Sequence, residues 1–283
     1  MLKARLKNGI LAAAVLVSLL FLAPAWMYLL IVLTVCTLAM LEFYQMLEKA
    51  NIPSFRFVGI AAALLLNLSV WGVAKYAWNS EVELAVLFAV IAAIFLRQLS
   101  QKHNRKPFET VSGTLLGVLY IGFLLSFLTR IMMFDGLFNG QWLLFYLLVI
   151  IKVSDSGAYF AGTNLGRHKM APRLSPKKTW EGFAGGMAAG LLASLALYYY
   201  RGGDFDVVRM ELSDAIMLGL LLPGAGVLGD LFESLCKRAA GIKDSSAGMK
   251  GLGGLMDLAD SVLPATPILY LWARFFLVAP GSI

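Results

Sequence analysis

Long apolar runs separated by short polar loops follow one another along most of this 283-residue chain. About 20 consecutive apolar residues cross the hydrocarbon layer as a helix. In lipid, backbone N–H and C=O groups must find their partners inside such a helix or a closed barrel. The composition agrees, with 59% hydrophobic and only 14% charged residues, where an ordinary soluble domain carries about 25% charged. Nine runs read as candidate spans: 9–23, 25–41, 57–77, 82–97, 110–130, 141–162, 180–200, 214–229 and 262–279. The expectation is an all-α, polytopic integral membrane protein with about nine transmembrane helices. Residues 1–283 are expected to form one domain, in which 1–140 supply N-terminal spans and 141–283 the polar loops and the spans that carry them.

Lys3, Arg5 and Lys7 before an apolar run ending at Ala23-Pro24-Ala25 imitate a cleavable signal. A second apolar run starts at once, from Trp26 to Leu41, so a retained first span is expected, paired with the second around Pro24.

The net charge of +7 does not suggest a nucleic-acid partner, because the basic residues sit in short loops between apolar runs. Segments 3–7, 49–56, 97–106, 167–178 and 237–250 hold eighteen of the 24 Lys and Arg residues. The alternate loops hold only Arg130, Arg201 and Arg209. The positive-inside rule then puts the N-terminus in the cytoplasm. Loops 163–179 and 230–261, the most polar in the chain, fall on the same side.

Those loops and their flanks carry the candidate chemistry. Asp155 lies in the second half of a span, where a carboxylate is costly and usually faces a polar cavity. An ion pair with Lys152, three residues earlier, is the plainer reading. In the stretch from Gly166 to Gly182, five basic residues and two prolines precede Thr179, a candidate helix N-cap. Such a loop suits a phosphate, although a loop lying beside anionic headgroups needs the same residues. Further on, Asp230, Glu233, Ser234 and Lys237 share a face if helical. Glycines follow through Gly254, then Asp257 and Asp260. Glycine backbone can approach phosphate closely, and adjacent carboxylates are hard ligands of the kind Mg²⁺ takes. The plainer reading is a solvated loop whose charges pair with one another.

Other signals carry less. Gly224-Ala225-Gly226-Val227-Leu228-Gly229 matches G-x-G-x-x-G without a strand-helix unit around it, and reads as close packing. Gly182, Gly186 and Gly190 suit a tight helix contact. Cys36 and Cys236 are far apart, and His103 and His168 are the only histidines, so neither zinc nor a histidine triad is expected.

The order Gly229-Asp230-Leu231-Phe232-Glu233-Ser234, Lys237-Arg238, Lys243-Asp244-Ser245-Ser246, then Gly251, Gly253, Gly254, Asp257, Asp260 and Ser261 resembles the signature of the phosphatidate cytidylyltransferases. The upstream stretch from Asp155 through Ser175-Pro176-Lys177-Lys178-Thr179-Trp180-Glu181-Gly182 is also similar to that family. Three positions depart from its pattern: Lys250 replaces Pro, Leu252 replaces His and Leu258 replaces Arg.

The resemblance implies transfer of the cytidylyl group of CTP to phosphatidate, giving CDP-diacylglycerol and pyrophosphate in phospholipid biosynthesis. It further implies a multi-pass homodimer in the cytoplasmic membrane that uses Mg²⁺. Asp230, Asp257 and Asp260 would hold the metal, with Asp155 and Glu233 as further candidates. Lys177, Lys178, Lys237, Arg238 and Lys243 would neutralise phosphates. Ser175, Thr179, Ser246, Gly253 and Gly254 would position them. A CTP-dependent enzyme with another lipid substrate and a paralogue that binds without turnover remain alternatives, the latter because of the three departures.

The charge asymmetry makes a direct prediction about topology. In intact cells an impermeant thiol reagent should label an Asp204→Cys variant and not a Lys169→Cys variant. Labelling of both from outside would overturn the orientation.

Overall fold

The computed structural model describes residues 17–242 and 254–277, Leu258 by its backbone alone. The protein is a multi-pass helical membrane protein. Residues 17–22 are helical before Pro24. Then come α1 (Ala25–Lys49), α2 (Arg56–Tyr76), α3 (Glu81–Leu99), α4 (Pro107–Met132) and α5 (Gln141–Leu165). A short ribbon follows, β1 (Lys169–Ala171) and β2 (Ser175–Thr179). After it come α6 (Trp180–Arg201), α7 (Leu212–Ala239), the single turn α8 (Leu255–Ala259) and α9 (Val262–Leu277). Seven of these, α1 to α7, are long and apolar enough to cross a membrane, and α9 is a shorter apolar helix. Most of the expected first span lies outside the described residues.

Two differences from the sequence expectation bear on function. The polar stretch after position 229 is not loop, because α7 continues to Ala239. No glycine or proline interrupts positions 230–239, so the helix carries Asp230, Glu233 and Lys237 past the apolar run. Segment 166–179 is an antiparallel ribbon, with Lys169 opposite Thr179 and Ala171 opposite Ser175.

Small residues bring α5, α6 and α7 together. A Cβ at Gly185 would run into Ala161, and one at Gly186 would lie 3.0 Å from Ala158. Gly182 approaches the Ala158 carbonyl and Gly162 in the same way. One turn on, Gly190 faces the ring of Pro223. That proline sits inside α7 and cannot donate to the carbonyl of Gly219. Backbone approach of this kind is the usual driving contact between helices in lipid, and the four-residue glycine spacing was its trace in sequence.

In the N-terminal half α4 contains a π-helical segment, Val118–Phe123. Such a segment disturbs the regular ladder of carbonyl acceptors. The side-chain amide of Asn67, fully buried on α2, donates to the Gly122 carbonyl at 3.0 Å and the Ala63 carbonyl at 2.9 Å. Gly122 lies so close to Ala63 that a Cβ would collide with it. Nearby, the Tyr44 hydroxyl donates to the Thr114 carbonyl at 2.9 Å.

Buried side chains form two clusters. One gathers Tyr146, Ile150, Leu218, Leu222 and Leu269 from α5, α7 and α9. The other gathers Met40, Phe43, Ala63, Ile94 and Ile121 from α1 to α4, together with Met256 and Leu263. Helices α1, α4 and α9 contribute to both. Outward, α3 presents Leu84, Phe88 and Leu96, an apolar face suited to lipid.

Replacing Asn67 with leucine should leave the Gly122 carbonyl without its donor. The expected cost is about 1–2 kcal/mol, read as a lower unfolding temperature of the purified protein in detergent.

Candidate active site

The site is built at the end of the bundle where α5 and α7 finish and α6 begins. Asp230 and Glu233 are one helical turn apart on α7, and Asp260 reaches them from the turn between α8 and α9. Gly229 permits that approach, since a Cβ there would collide with the Asp260 carbonyl. The three carboxylates offer oxygens within 4.8 Å of one another. Glu233 and Asp260 are buried, at 3% and 2% exposure. Burial, reinforced by the neighbouring carboxylates of Asp230 and Glu233, pushes the Asp260 carboxyl far above the usual carboxylate range. One Asp260 oxygen accepts from the Ser261 amide at 2.6 Å and from its hydroxyl at 3.2 Å.

Two lysines oppose this negative charge. Lys178 lies 2.6 Å from Asp230. Lys237 bridges Glu233 at 2.9 Å and Asp257 at 2.6 Å. The second Glu233 oxygen, Oε1, is buried with no hydrogen-bond partner among the described residues. A buried carboxylate oxygen is normally satisfied, so this one suits a cation. The donor set is all oxygen, as Mg²⁺ prefers.

The ribbon forms the facing wall. Thr179 ends β2 and caps α6, its hydroxyl accepting from the Gly182 amide at 3.1 Å. Glu181 accepts from the amides of Arg167 and His168 at 3.1 and 3.2 Å, and its carboxylate lies 2.6 Å from the His168 ring. The start of the ribbon is thereby tied to the start of α6. Arg238 donates from Nε to the Leu174 carbonyl at 3.1 Å, tying the ribbon tip to α7.

Between these walls lies a cavity of about 350 Å³. Its polar lining comes from Ser154 and Asp155 on α5, Lys177, Lys178 and Thr179 on β2, and Asp230, Asp257, Asp260 and Ser261. Tyr159, Phe183 and Val227 supply apolar surface. Two stretches more than fifty positions apart in sequence, each with its own charge, thus face one another across a single space.

Most of the residues singled out in the sequence gather here, though not in the expected pairings. Glu233, rather than Asp257, completes the trio with Asp230 and Asp260. Asp257 lines the same cavity, pairs with Lys237 and accepts from the Gly254 amide at 3.2 Å. Asp155 lines it too, while also pairing with Lys152 at 3.5 Å. Ser175 sits at the far end of β2 and is not part of the lining. Arg238 holds the ribbon, and Lys237 is held between carboxylates. Lys243, Ser246 and Gly253 lie outside the described residues, as do Lys250, Leu252 and the Leu258 side chain.

Sequence reasoning passed over Glu42. Its two carboxylate oxygens accept from the Leu255 and Met256 amides at 3.0 and 2.9 Å, capping α8 from α1. A carboxylate in the last third of a membrane helix was the available signal, by the same argument that selected Asp155. Tyr120, in the π segment of α4, was also missed; its ring packs at a tilt against that of Phe232, centroids 4.4 Å apart, between the two α7 carboxylates in sequence.

A family model described as "Cytidylyltransferase family" matches residues 3–276. The phosphatidate cytidylyltransferase of Bacillus subtilis (strain 168) is 32% identical over 279 residues, covering 97% of this chain and 98% of that protein. That of Staphylococcus haemolyticus (strain JCSC1435) is 31% identical over 234 residues, 82% of this chain and 85% of its own length. The Haemophilus influenzae enzyme of the same name is 36% identical over 141 residues, about half of each chain. With the match running almost end to end, this chain belongs to the cytidylyltransferase family.

Proposed function

We propose that this protein transfers the cytidylyl group of CTP to phosphatidate, releasing pyrophosphate and leaving CDP-diacylglycerol in the membrane. The observation that carries the reading is the cavity itself, where the lysines of β2 face three clustered carboxylates and Lys178 meets Asp230 at 2.6 Å. The full-length similarity to relatives bearing the name phosphatidate cytidylyltransferase supports the choice of substrates.

A phosphate monoester has its second pKa near 6, so the lipid phosphate is largely a dianion at neutral pH and needs no general base. An oxygen of that phosphate attacks the α-phosphorus of CTP in line. The new P–O bond forms as the bond from the α-phosphorus to the oxygen bridging it to the β-phosphorus breaks, and that electron pair leaves with pyrophosphate. The barrier comes from bringing two polyanions together and from charge building on the leaving group, both lowered by fixed cations. Lys177 and Lys178 neutralise substrate phosphates from β2. Lys178 exchanges its contact with Asp230 for substrate oxygens. Thr179 uses its remaining hydroxyl proton to orient a phosphate. Lys237 stays between Glu233 and Asp257 and keeps both in place. Asp230, Glu233 and Asp260 would hold Mg²⁺, which when bound would stabilise charge on the departing oxygens. Asp155 and Asp257 face the same cavity and orient its polar wall.

The reading includes a location. The protein resides in the cytoplasmic membrane, with its N-terminus and this cavity on the cytoplasmic side, where CTP is found. The Lys and Arg distribution supports that orientation. Residues 1–283 act as one membrane domain, and a second copy forms a homodimer with it.

EDTA should abolish cytidylyl transfer in detergent-solubilised protein, and excess Mg²⁺ should restore it. Asp230→Asn and Asp260→Asn should each lower kcat by about 100- to 10,000-fold, or about 3–5 kcal/mol of transition-state stabilisation, with unchanged elution in size-exclusion chromatography. Near-normal turnover in both would refute the carboxylate assignment. Recovery of the α-phosphate label of CTP wholly in the aqueous phase, with none in the extracted lipid, would exclude cytidylyl transfer to lipid.

Glu42 acts through α8 and not on substrate. Glu42→Leu should cost about 1–2 kcal/mol of stability as a lost helix cap and reduce kcat several-fold by loosening the segment bearing Asp257 and Asp260. Glu42→Gln should recover part of both, and full activity in Glu42→Leu would remove the residue from the positioning network.

A further inference from the structure

Beyond the reaction cavity, a second concavity has a volume of about 850 Å³. It lies where α1 and α3 end and α2 and α4 begin, bordered by the chain segments that join α1 to α2 and α3 to α4. Arg56, Arg97, Arg105 and Lys106 line it, against one carboxylate, Glu48. None of the four cations forms an ion pair with a described carboxylate. Most of their counterparts at the opposite end of the bundle, Lys75 and Arg209 excepted, behave differently. There Arg130, Arg201 and Arg274 each pair with a carboxylate, Glu83, Asp206 and Asp135.

Three of the four basic side chains of the cavity are also held in place. The Arg56 guanidinium lies 4.7 Å from the centre of the Phe57 ring, and that of Arg97 lies 5.7 Å from the Phe55 ring. Lys106 donates from Nζ to the Asn51 carbonyl at 2.9 Å. A loop that merely obeys the positive-inside rule spreads its charge over the surface. Here two stretches distant in sequence, 44–58 and 97–106, converge on one hollow, leaving a net positive lining whose members repel one another unless an anion is present. The first turn of α2 faces the same hollow without a capping side chain and adds its amide dipoles to that field.

We propose that this hollow is a binding site for a phosphate group at the membrane surface, separate from the reaction cavity. Arg56, Arg97, Arg105 and Lys106 would supply positive charge to the phosphate oxygens. No residue lines both cavities. They share a face of the membrane, because α1 serves both. Glu42 caps α8 beside the carboxylates, and Glu48 lies ~9 Å further along the same helix. The ends of membrane helices sit at headgroup level, where phosphate arrives as an anionic lipid headgroup or as a soluble ion.

The test is direct binding to the full-length protein in dodecyl maltoside. A fluorescent phosphatidylglycerol in mixed micelles is the probe, and inorganic phosphate is the competitor. Each cation near a membrane surface contributes about fivefold to anionic-lipid binding. Arg97→Gln/Arg105→Gln should therefore weaken probe binding roughly 25-fold, and Arg97→Lys/Arg105→Lys should retain most of it. Displacement by millimolar inorganic phosphate assigns the site to the phosphate ion itself, and resistance to it assigns the site to lipid. Affinity of the Gln variant within about twofold of wild type would overturn the proposal. So would equal losses in the Gln and Lys variants. Should the Gln variant not fold, the wild type still decides: binding must weaken as salt rises, and salt-independent binding counts against the site. Binding is measured without turnover, so its failure leaves the proposed reaction standing, and an inactive enzyme would leave this site standing.

Discussion

Three carboxylates converging in a largely buried setting form the constraint around which the polar end of this protein is arranged. Like charges at such separations cannot persist in a medium of low dielectric without protons or cations nearby. The chain answers with Lys178 from the ribbon and Lys237 from α7, each placed within 3 Å of a carboxylate. Removing one partner of the buried Lys237–Glu233 pair is far more damaging than its net stabilisation suggests, because the other charge is left uncompensated. The positions of β2, α7 and α8 are therefore coupled through charge, not only through apolar contact.

That coupling requires backbones to come close, and the small residues provide for it. Gly229 lets the Asp260 segment lie against α7, while Gly182, Gly185 and Gly186 let α6 lie against α5. Thr179 then starts α6 at the point where β2 must deliver its lysines. A larger side chain at any of these contacts would separate the walls of the cavity, so packing and electrostatics depend on the same few positions. The π segment of α4 and its partner Asn67 serve the other half of the bundle, where a buried amide fixes the register of α2 against α4.

The cavity is polar on the ribbon and α7 sides and carries Tyr159, Phe183 and Val227 as apolar surface. An arrangement of that kind suits a reaction between one substrate held by lipid and another dissolved in water. The second hollow, at the same membrane face, has the opposite balance, with cations left unpaired. The two hollows thus differ in electrostatics, one compensated internally by carboxylates and one lined by Arg56, Arg97, Arg105 and Lys106 against a single carboxylate.

The sequence by itself determined the helical membrane architecture, because runs of apolar residues of spanning length leave the backbone no other way to satisfy its polar groups. It also marked residue types of the candidate site, since a carboxylate such as Asp155 within a span is costly unless it faces a polar cavity, and Lys177, Lys178, Asp230 and Asp260 stand out as charges beside the spans. The cap at Thr179 and the close packing of Gly182, Gly186 and Gly190 were legible for the same local reasons. What joins what was not legible. That Glu233 and not Asp257 completes the trio, that Lys237 spans two carboxylates, and that Arg238 holds the ribbon all depend on distances between α7, α8 and β2. Glu42 reaches the amides of residues more than two hundred positions away, and periodicity carries no information about such a pairing. Only tertiary structure decided these partners, because a buried charge takes whichever counter-charge the packed backbones bring within reach.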